Sequence, residues 1–219
     1  MSGLQSIINL AETITIDRRR VLGVQYTRSE VAKTNETVTR NTWKFNITVP
    51  AMLSYDENRS LFEDIDRLDK QYPQVISFSS STGLSYMLAY QGDMSSSDVS
   101  GVTVQSWTGT VLTLNNLPGI NPTQYMFRKG DFIQVANYPY PVTSQYDVLR
   151  GGASTVVVTT HRPNFIGTGT NNKHIVVGNA VQFNMFCNNM PTYKMNPGGS
   201  TALVTFSGPF QFYEYTGDV

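Results

Sequence analysis

Residues 38–49 read Val38-Thr39-Arg40-Asn41-Thr42-Trp43-Lys44-Phe45-Asn46-Ile47-Thr48-Val49. Trp43, Phe45, Ile47 and Val49 fall on one face. Arg40, Thr42, Lys44, Asn46 and Thr48 fall on the other. Alternation of this kind marks a strand buried on one side. Pro50 cannot donate to a ladder and closes it. The same period of two recurs along most of the chain, so the expected class is mainly β.

One segment breaks that rhythm. Ser54-Tyr55-Asp56-Glu57 offers a capping box, with Ser54 as N-cap and Glu57 three residues on. Leu61, Phe62, Ile65, Leu68 and Tyr72 then recur at helical spacing. Asp56, Glu57, Glu63 and Asp64 sit early, where the helix dipole favours anions, and Arg67 and Lys70 sit late. With Pro73 as a stop, the pattern predicts one helix over about 55–71.

Short strands are expected at Val75–Phe78 and Leu84–Tyr90, followed by a small, polar linker at Gly92–Asp98. Five more follow: Val99–Trp107, Thr110–Leu114, Asp131–Ala136, Tyr140–Gln145 and Thr155–Thr160. Turn signals separate them, among them Thr108-Gly109, Pro118-Gly119 and Lys129-Gly130. That punctuation suggests a small OB-like or similar β-barrel. His161–Lys173 reads as a long loop. The chain then returns to strands at His174–Gly178, Val181–Cys187, Thr192–Met195, Ala202–Phe206 and Phe210–Tyr215. Asn196-Pro197-Gly198-Gly199 marks a hairpin. The expected organisation is a discontinuous β domain, 1–97 and 161–219, with one packed helix, and an inserted barrel over 98–160.

Composition narrows the function classes. Charged residues make up 15% of the 219, against roughly a quarter in ordinary soluble domains. Ser, Thr, Asn and Gln number 71, so the surface is covered by uncharged polar groups. Lys and Arg equal Asp and Glu at 16 each, which leaves no global field to draw in nucleic acid or an anionic membrane. No apolar run reaches the length of a membrane-spanning helix. The start lacks a basic region followed by an apolar one, which argues against a secretory signal and for a reducing cytoplasm as the site of synthesis.

Nothing in the sequence assembles a catalytic constellation. The two histidines, His161 and His174, have no G-x-S-x-G partner, and His161 reads as a surface or loop-anchoring residue. Two histidines and Cys187 at unrelated spacings cannot supply the four ligands of a zinc site. Asp64, Asp66 and Asp69 fan across different helix faces. Trp43 and Trp107 lie in alternating strands and read as core. Gly151-Gly152 and Gly198-Gly199 lie between strands, not before a helix, so they do not form a phosphate loop. Within 98–160, Arg128, Lys129 and Arg150 are balanced by Asp98, Asp131 and Asp147, so no basic groove for a single strand is expected. The reading is non-enzymatic, with no catalytic residue, metal or cofactor. A hydrolase with paired carboxylates is set aside because no substrate signature singles out a pair.

One local charge asymmetry stands out. Residues 1–50 hold seven basic and four acidic residues, and residues 51–75 hold three basic and six acidic. Such complementarity can set register between neighbouring copies.

The layout resembles the ring-forming proteins at the distal end of bacteriophage tails, the distal tail proteins and baseplate hub subunits. The resemblance rests on Asp17-Arg18-Arg19-Arg20, the strand from Arg40 to Pro50, the helix around Glu57–Glu63 and the strand Val75–Phe78. It rests also on Arg128-Lys129-Gly130-Asp131-Phe132-Ile133-Gln134-Val135 with its following strands, Tyr140-Pro141-Val142-Thr143 and Ser154–Val158, and on the sheet-like end, Val181–Tyr215. It implies a self-assembling structural component of the virion, commonly hexameric, between the tail tube and the baseplate or host-recognition apparatus. Its partners would be copies of itself and neighbouring tail-tube and hub proteins. The family shares no catalytic residues.

A ring subunit needs edges that neighbours can pair with and aromatic anchors. The candidate contact residues are Arg18, Arg19, Arg20, Tyr125, Tyr138, Tyr140, Tyr193, Phe212 and Tyr213, with the loops 115–128 and 161–173. Residues 1–16 are too apolar for a free tail and are expected to dock on this chain or on a neighbour. The alternative function is a carbohydrate- or receptor-binding β module of a host-recognition device.

Overall fold

The computed structural model describes residues 3–17, 23–26, 32–35, 41–67, 72–78, 85–119, 121–136, 138–164, 167–198 and 201–217. It is mainly β, with several antiparallel sheets.

The N-terminal segment docks on its own chain. Helix α1 (Gly3–Asn9) buries Leu4, Ile7 and Ile8. Strand β1 (Thr13–Asp17) follows and pairs antiparallel with β4 (Lys44–Thr48), from Thr13 opposite Thr48 to Asp17 opposite Lys44. Between them, β2 (Gly23–Tyr26) and β3 (Ala32–Asn35) form a separate two-stranded ribbon. The alternation of the opening stretch holds: Trp43, Phe45, Ile47 and Val49 are buried, while Asn46 and Thr48 are exposed.

After β5 (Leu53–Ser54) comes helix α2 (Tyr55–Asp66), with the Ser54 hydroxyl accepting from the Glu57 N–H at 3.5 Å. Leu61, Phe62 and Ile65 are its buried face. The helix stops at Asp66 with Arg67 as C-cap, short of the expected 71. Tyr72 is 67% exposed, so it does not continue the apolar face. Leu68, Asp69 and Lys70 lie outside the described residues. Strand β6 (Gln74–Ser77) agrees with its reading. The expected strand at 84–90 is instead a single 3-10 turn, Ser85–Leu88. Only Leu88 of that turn is fully buried and Tyr86 faces solvent, a burial that one turn supplies without a ladder.

Residues 92–98 are no loose linker. Met94 and Val99 are buried, and Ser96–Ser100 forms a short helix, α3, capped by the Ser95 hydroxyl. Then come β7 (Thr103–Thr108), β8 (Val111–Asn115), β9 (Tyr125–Phe127), β10 (Phe132–Val135), β11 (Val142–Thr143), β12 (Val148–Leu149) and β13 (Val156–Thr159). They form a β13-β8-β7 sheet, a β12-β9 pair, and a β11-β10-β14 sheet that takes β14 (Ile175–Val177) from further along the chain. The expected barrel is not found as a closed one among the described residues. Closure needs strands long enough to stagger around a ring, and β11 and β12 have two residues each.

The last strands are β15 (Gln182–Asn189), β16 (Tyr193–Gly198), β17 (Thr201–Phe206) and β18 (Phe210–Glu214). Strands β16 and β17 form the hairpin expected around Asn196–Gly199, joined on one side by β5. Strands β15 and β18 enter the main sheet, whose order is β1-β4-β18-β15-β6. Two hydrophobic cores result. One holds α1, α2 and the main sheet around Phe45, Phe78, Phe183 and Phe212. The other holds Val99–Val158 together with Ile175 and Val177. Both tryptophans are buried, Trp43 in the first core and Trp107 in the second.

Candidate functional site

A buried polar joint ties the residue stretch after β13 to the end of β18 and to Trp43 of the first core. Arg162 follows β13, and Glu214 ends β18. The Arg162 guanidinium donates to both Glu214 carboxylate oxygens, at 2.5 and 2.8 Å, and both side chains have no exposed surface. Arg162 also donates to the carbonyls of Asn41 and Pro141, each at 3.0 Å. Glu214 accepts from the Trp43 N–H at 3.1 Å, and the Trp43 indole donates to the Pro141 carbonyl at 2.9 Å. The bidentate geometry is the strong form of this pair. The 161–173 loop, read from sequence as a contact loop, therefore begins with an inward anchor. His161 beside it accepts from the Thr143 N–H at 2.9 Å through Nδ1, a loop-anchoring role.

The Arg128-Lys129-Gly130-Asp131 turn is a second polar cluster. Arg128 lies 3.1 Å from Asp93 and 3.6 Å from Asp147, and its guanidinium stacks 3.5 Å over the Tyr125 ring. The N–H of Tyr125 holds the Asp93 carboxyl below its ordinary range, and Arg128 adds to this. Asp131 is buried at 3% exposure. Its carboxylate accepts from the N–H groups of Gln91 and Arg128 at 2.9 and 2.8 Å. Burial still pushes its pKa up against those bonds. Burial likewise raises the Tyr90 phenol, reinforced by Asp131, Asp93 and Asp98. These charges are absorbed in fixing one turn.

The residues expected at contacts do not come together in one patch. Arg18, Arg19 and Arg20 lie outside the described residues. Tyr140 and Phe212 are interior, at 8% and 0% exposure. Tyr138 packs against the second core. Tyr125 lies under Arg128. Tyr193 rests between Phe62 and Phe206, and its hydroxyl donates to Asp66 at 3.2 Å. Burial, then Asp66, raises its pKa.

Tyr213 alone lies on the outward face of the main sheet, in a row that sequence reasoning missed. Asp17 pairs with Lys44, Lys44 with Tyr213, and Tyr213 with Phe186. The Lys44 ammonium lies 5.4 Å from the Tyr213 ring, and Phe186 packs against both Tyr213 and Tyr215. Only the register brings these four strands into line. Individually, the residues read as the polar or solvent side of their strands.

The two edges of this sheet differ. At β6, Gln5 of α1 donates to the Ser77 carbonyl at 2.9 Å and accepts from its N–H at 2.8 Å, while the Gln74 side chain accepts from the Leu4 N–H at 3.1 Å. That edge is covered. At the opposite edge, β1 carries Thr13-Ile14-Thr15-Ile16 and, among the described residues, pairs with β4 alone.

Among the described residues, no group of three or more His, Cys, Asp or Glu could hold a metal ion, and no helix is long and apolar enough to cross a membrane. Compared with known proteins, the chain matches no family model and no curated sequence.

Proposed function

We propose that this protein is a structural subunit of a bacteriophage tail or baseplate that assembles with copies of itself into a ring and works by binding neighbours, without catalysis. The asymmetry of the main sheet carries the reading. One edge is covered by Gln5, as in proteins that avoid strand pairing. The other presents Thr13–Ile16, a β-prone run with no proline, no lysine and no cover among the described residues. An edge of this kind is a template for a strand from another chain, and a head-to-tail contact that closes on itself makes a ring. Beside it, the half-buried Tyr213 and Phe186 supply aromatic surface of the kind enriched at interface centres. The resemblance of the layout to distal tail proteins supplies the setting.

Size-exclusion chromatography with light scattering at micromolar concentration tests this. A closed oligomer is expected, and Thr15→Lys, which charges an exposed position of the edge strand and keeps its pairing with Asn46, should shift it to monomer with its thermal midpoint nearly unchanged. A chain that stays monomeric alone and fails to join purified tail particles overturns the proposal.

A further inference from the structure

A cleft of about 560 Å³ opens beside the Lys129-Gly130 turn, lined by Asn41, Lys129, Thr143, Gln145, Tyr146 and His161 among others. We infer that this cleft is a saccharide-binding site, a function separate from assembly.

The floor is rigid before any ligand arrives. The Gly130 N–H donates to the Ser144 carbonyl at 2.9 Å, and the Ser144 N–H donates to the Asp131 carbonyl at 3.0 Å. Gly130 turns with φ +98°, a conformation that favours glycine. The Lys129 N–H donates to Asp147 at 2.7 Å, and the Ser144 hydroxyl donates to the Tyr146 carbonyl at 2.7 Å. His161 closes the base, bonded to Thr143 through Nδ1 and packed 5.2 Å from the Trp43 ring. A pre-formed floor removes much of the ordering cost of binding.

Two features call for a ligand. Tyr146 is 64% exposed, and among the described residues its side chain has no ring or hydrogen-bond partner. Fixing its backbone while leaving the ring open at the cleft offers an aromatic platform. Asn41 is held by its carbonyl, which accepts from Arg162. Its side-chain oxygen is buried and accepts no bond among the described residues. A buried acceptor without a donor is costly and requires a partner.

The lining decides the ligand class. Two planar amides, Asn41 and Gln145, and the hydroxyl-bearing Thr143, Ser144 and Tyr146 line the cleft, with Lys129 as the one lysine or arginine and no carboxylate among the described residues. That set suits a polyol whose hydroxyls both donate and accept. A pyranose ring can lay its C–H face on Tyr146, and rotation of the Asn41 side chain, whose oxygen is buried in the unliganded protein, brings that acceptor to a ligand hydroxyl. The ligand is thus a saccharide, neutral or bearing a carboxylate that Lys129 would meet. Of the other tyrosines named from sequence, Tyr125 lies under Arg128 and Tyr138 packs against the second core, which leaves Tyr146 as the aromatic platform of this cleft.

The test uses the purified full chain. It is applied to an array of neutral, N-acetylated and uronate-containing oligosaccharides, and hits are titrated by calorimetry. At least one class should bind in the millimolar range or tighter. Tyr146→Ala should weaken it by at least about tenfold, the effect of losing a single favourable contact. Asn41→Ala should weaken it by a smaller factor. Because Tyr146 is mostly exposed, its variant should keep the wild-type thermal midpoint, which separates lost binding from lost fold. No binding by any class, or binding untouched by Tyr146→Ala, overturns the inference. Neither result bears on whether the chain forms a ring.

Discussion

Arg162 and Glu214, 52 residues apart, form a two-pronged ion pair with no solvent contact, and Trp43 is bonded to the same carboxylate. Removing one partner strands the other charge in the interior. Arg162→Met is therefore expected to lower the unfolding free energy by about 3–5 kcal/mol, read from the urea midpoint. Adding Glu214→Leu should recover only part of the loss. The buried Trp43 N–H then loses its acceptor, and an orphaned donor has its own cost.

Gly92 is required by its neighbours. A Cβ at this position would run into the Tyr90 hydroxyl and lie 2.7 Å from the Met126 carbonyl, the two groups that hydrogen-bond to each other. Gly92→Ala must push them apart, at a cost of about 1–3 kcal/mol as for other overpacked sites. Tyr90→Phe should not rescue it, because the ring carbon that bears the hydroxyl and the Met126 carbonyl also stand in the way. Thermal unfolding of the single and double variants decides this.

Ser54 caps α2 through a long bond, 3.5 Å to the Glu57 N–H. Caps of this type contribute about 0.5–2 kcal/mol. The length places Ser54→Ala near the lower end, and Ser54→Asp, with a charge that suits the helix dipole, should at least match wild type. Chemical denaturation resolves the order of the three proteins.

Asp93 gives a pH signature. Its folded pKa lies below the ordinary value, first because the Tyr125 N–H bonds its carboxylate and then because of Arg128. A depressed carboxylate contributes stability above its unfolded pKa, near 4, and loses it as pH falls through the folded value. Asp93→Asn should therefore be less stable than wild type at pH 7, and the gap should narrow steadily below about pH 4. A gap that stays constant down to pH 2 contradicts the assignment.

Much of the fold was legible because it is written locally. The alternation at Trp43–Val49, the cap at Ser54 and the alternation of Val181, Phe183, Met185 and Cys187 each encode burial within a few residues. The expected strand at 84–90 failed because an apolar run too short to show a period fits a turn or a strand equally well. The end of α2 was overestimated because Leu68 and Tyr72 prolong its spacing on paper. The aromatic row was not legible, since Lys44, Tyr213 and Phe186 become neighbours only through the pairing of β4, β18 and β15.

What the sequence determined by itself was the class and the inward face of most strands, because period and capping act between residues close in the chain. Tertiary structure alone decided that Arg162 turns inward to Glu214, that Gln5 covers one sheet edge while Thr13–Ile16 leaves the other open, and that Tyr146 stands over a cleft beside Asn41. Each of these depends on contacts between residues far apart in sequence. A linear pattern holds no record of which distant strand or loop will arrive, since that outcome is set by packing and by the need to give buried polar groups a partner.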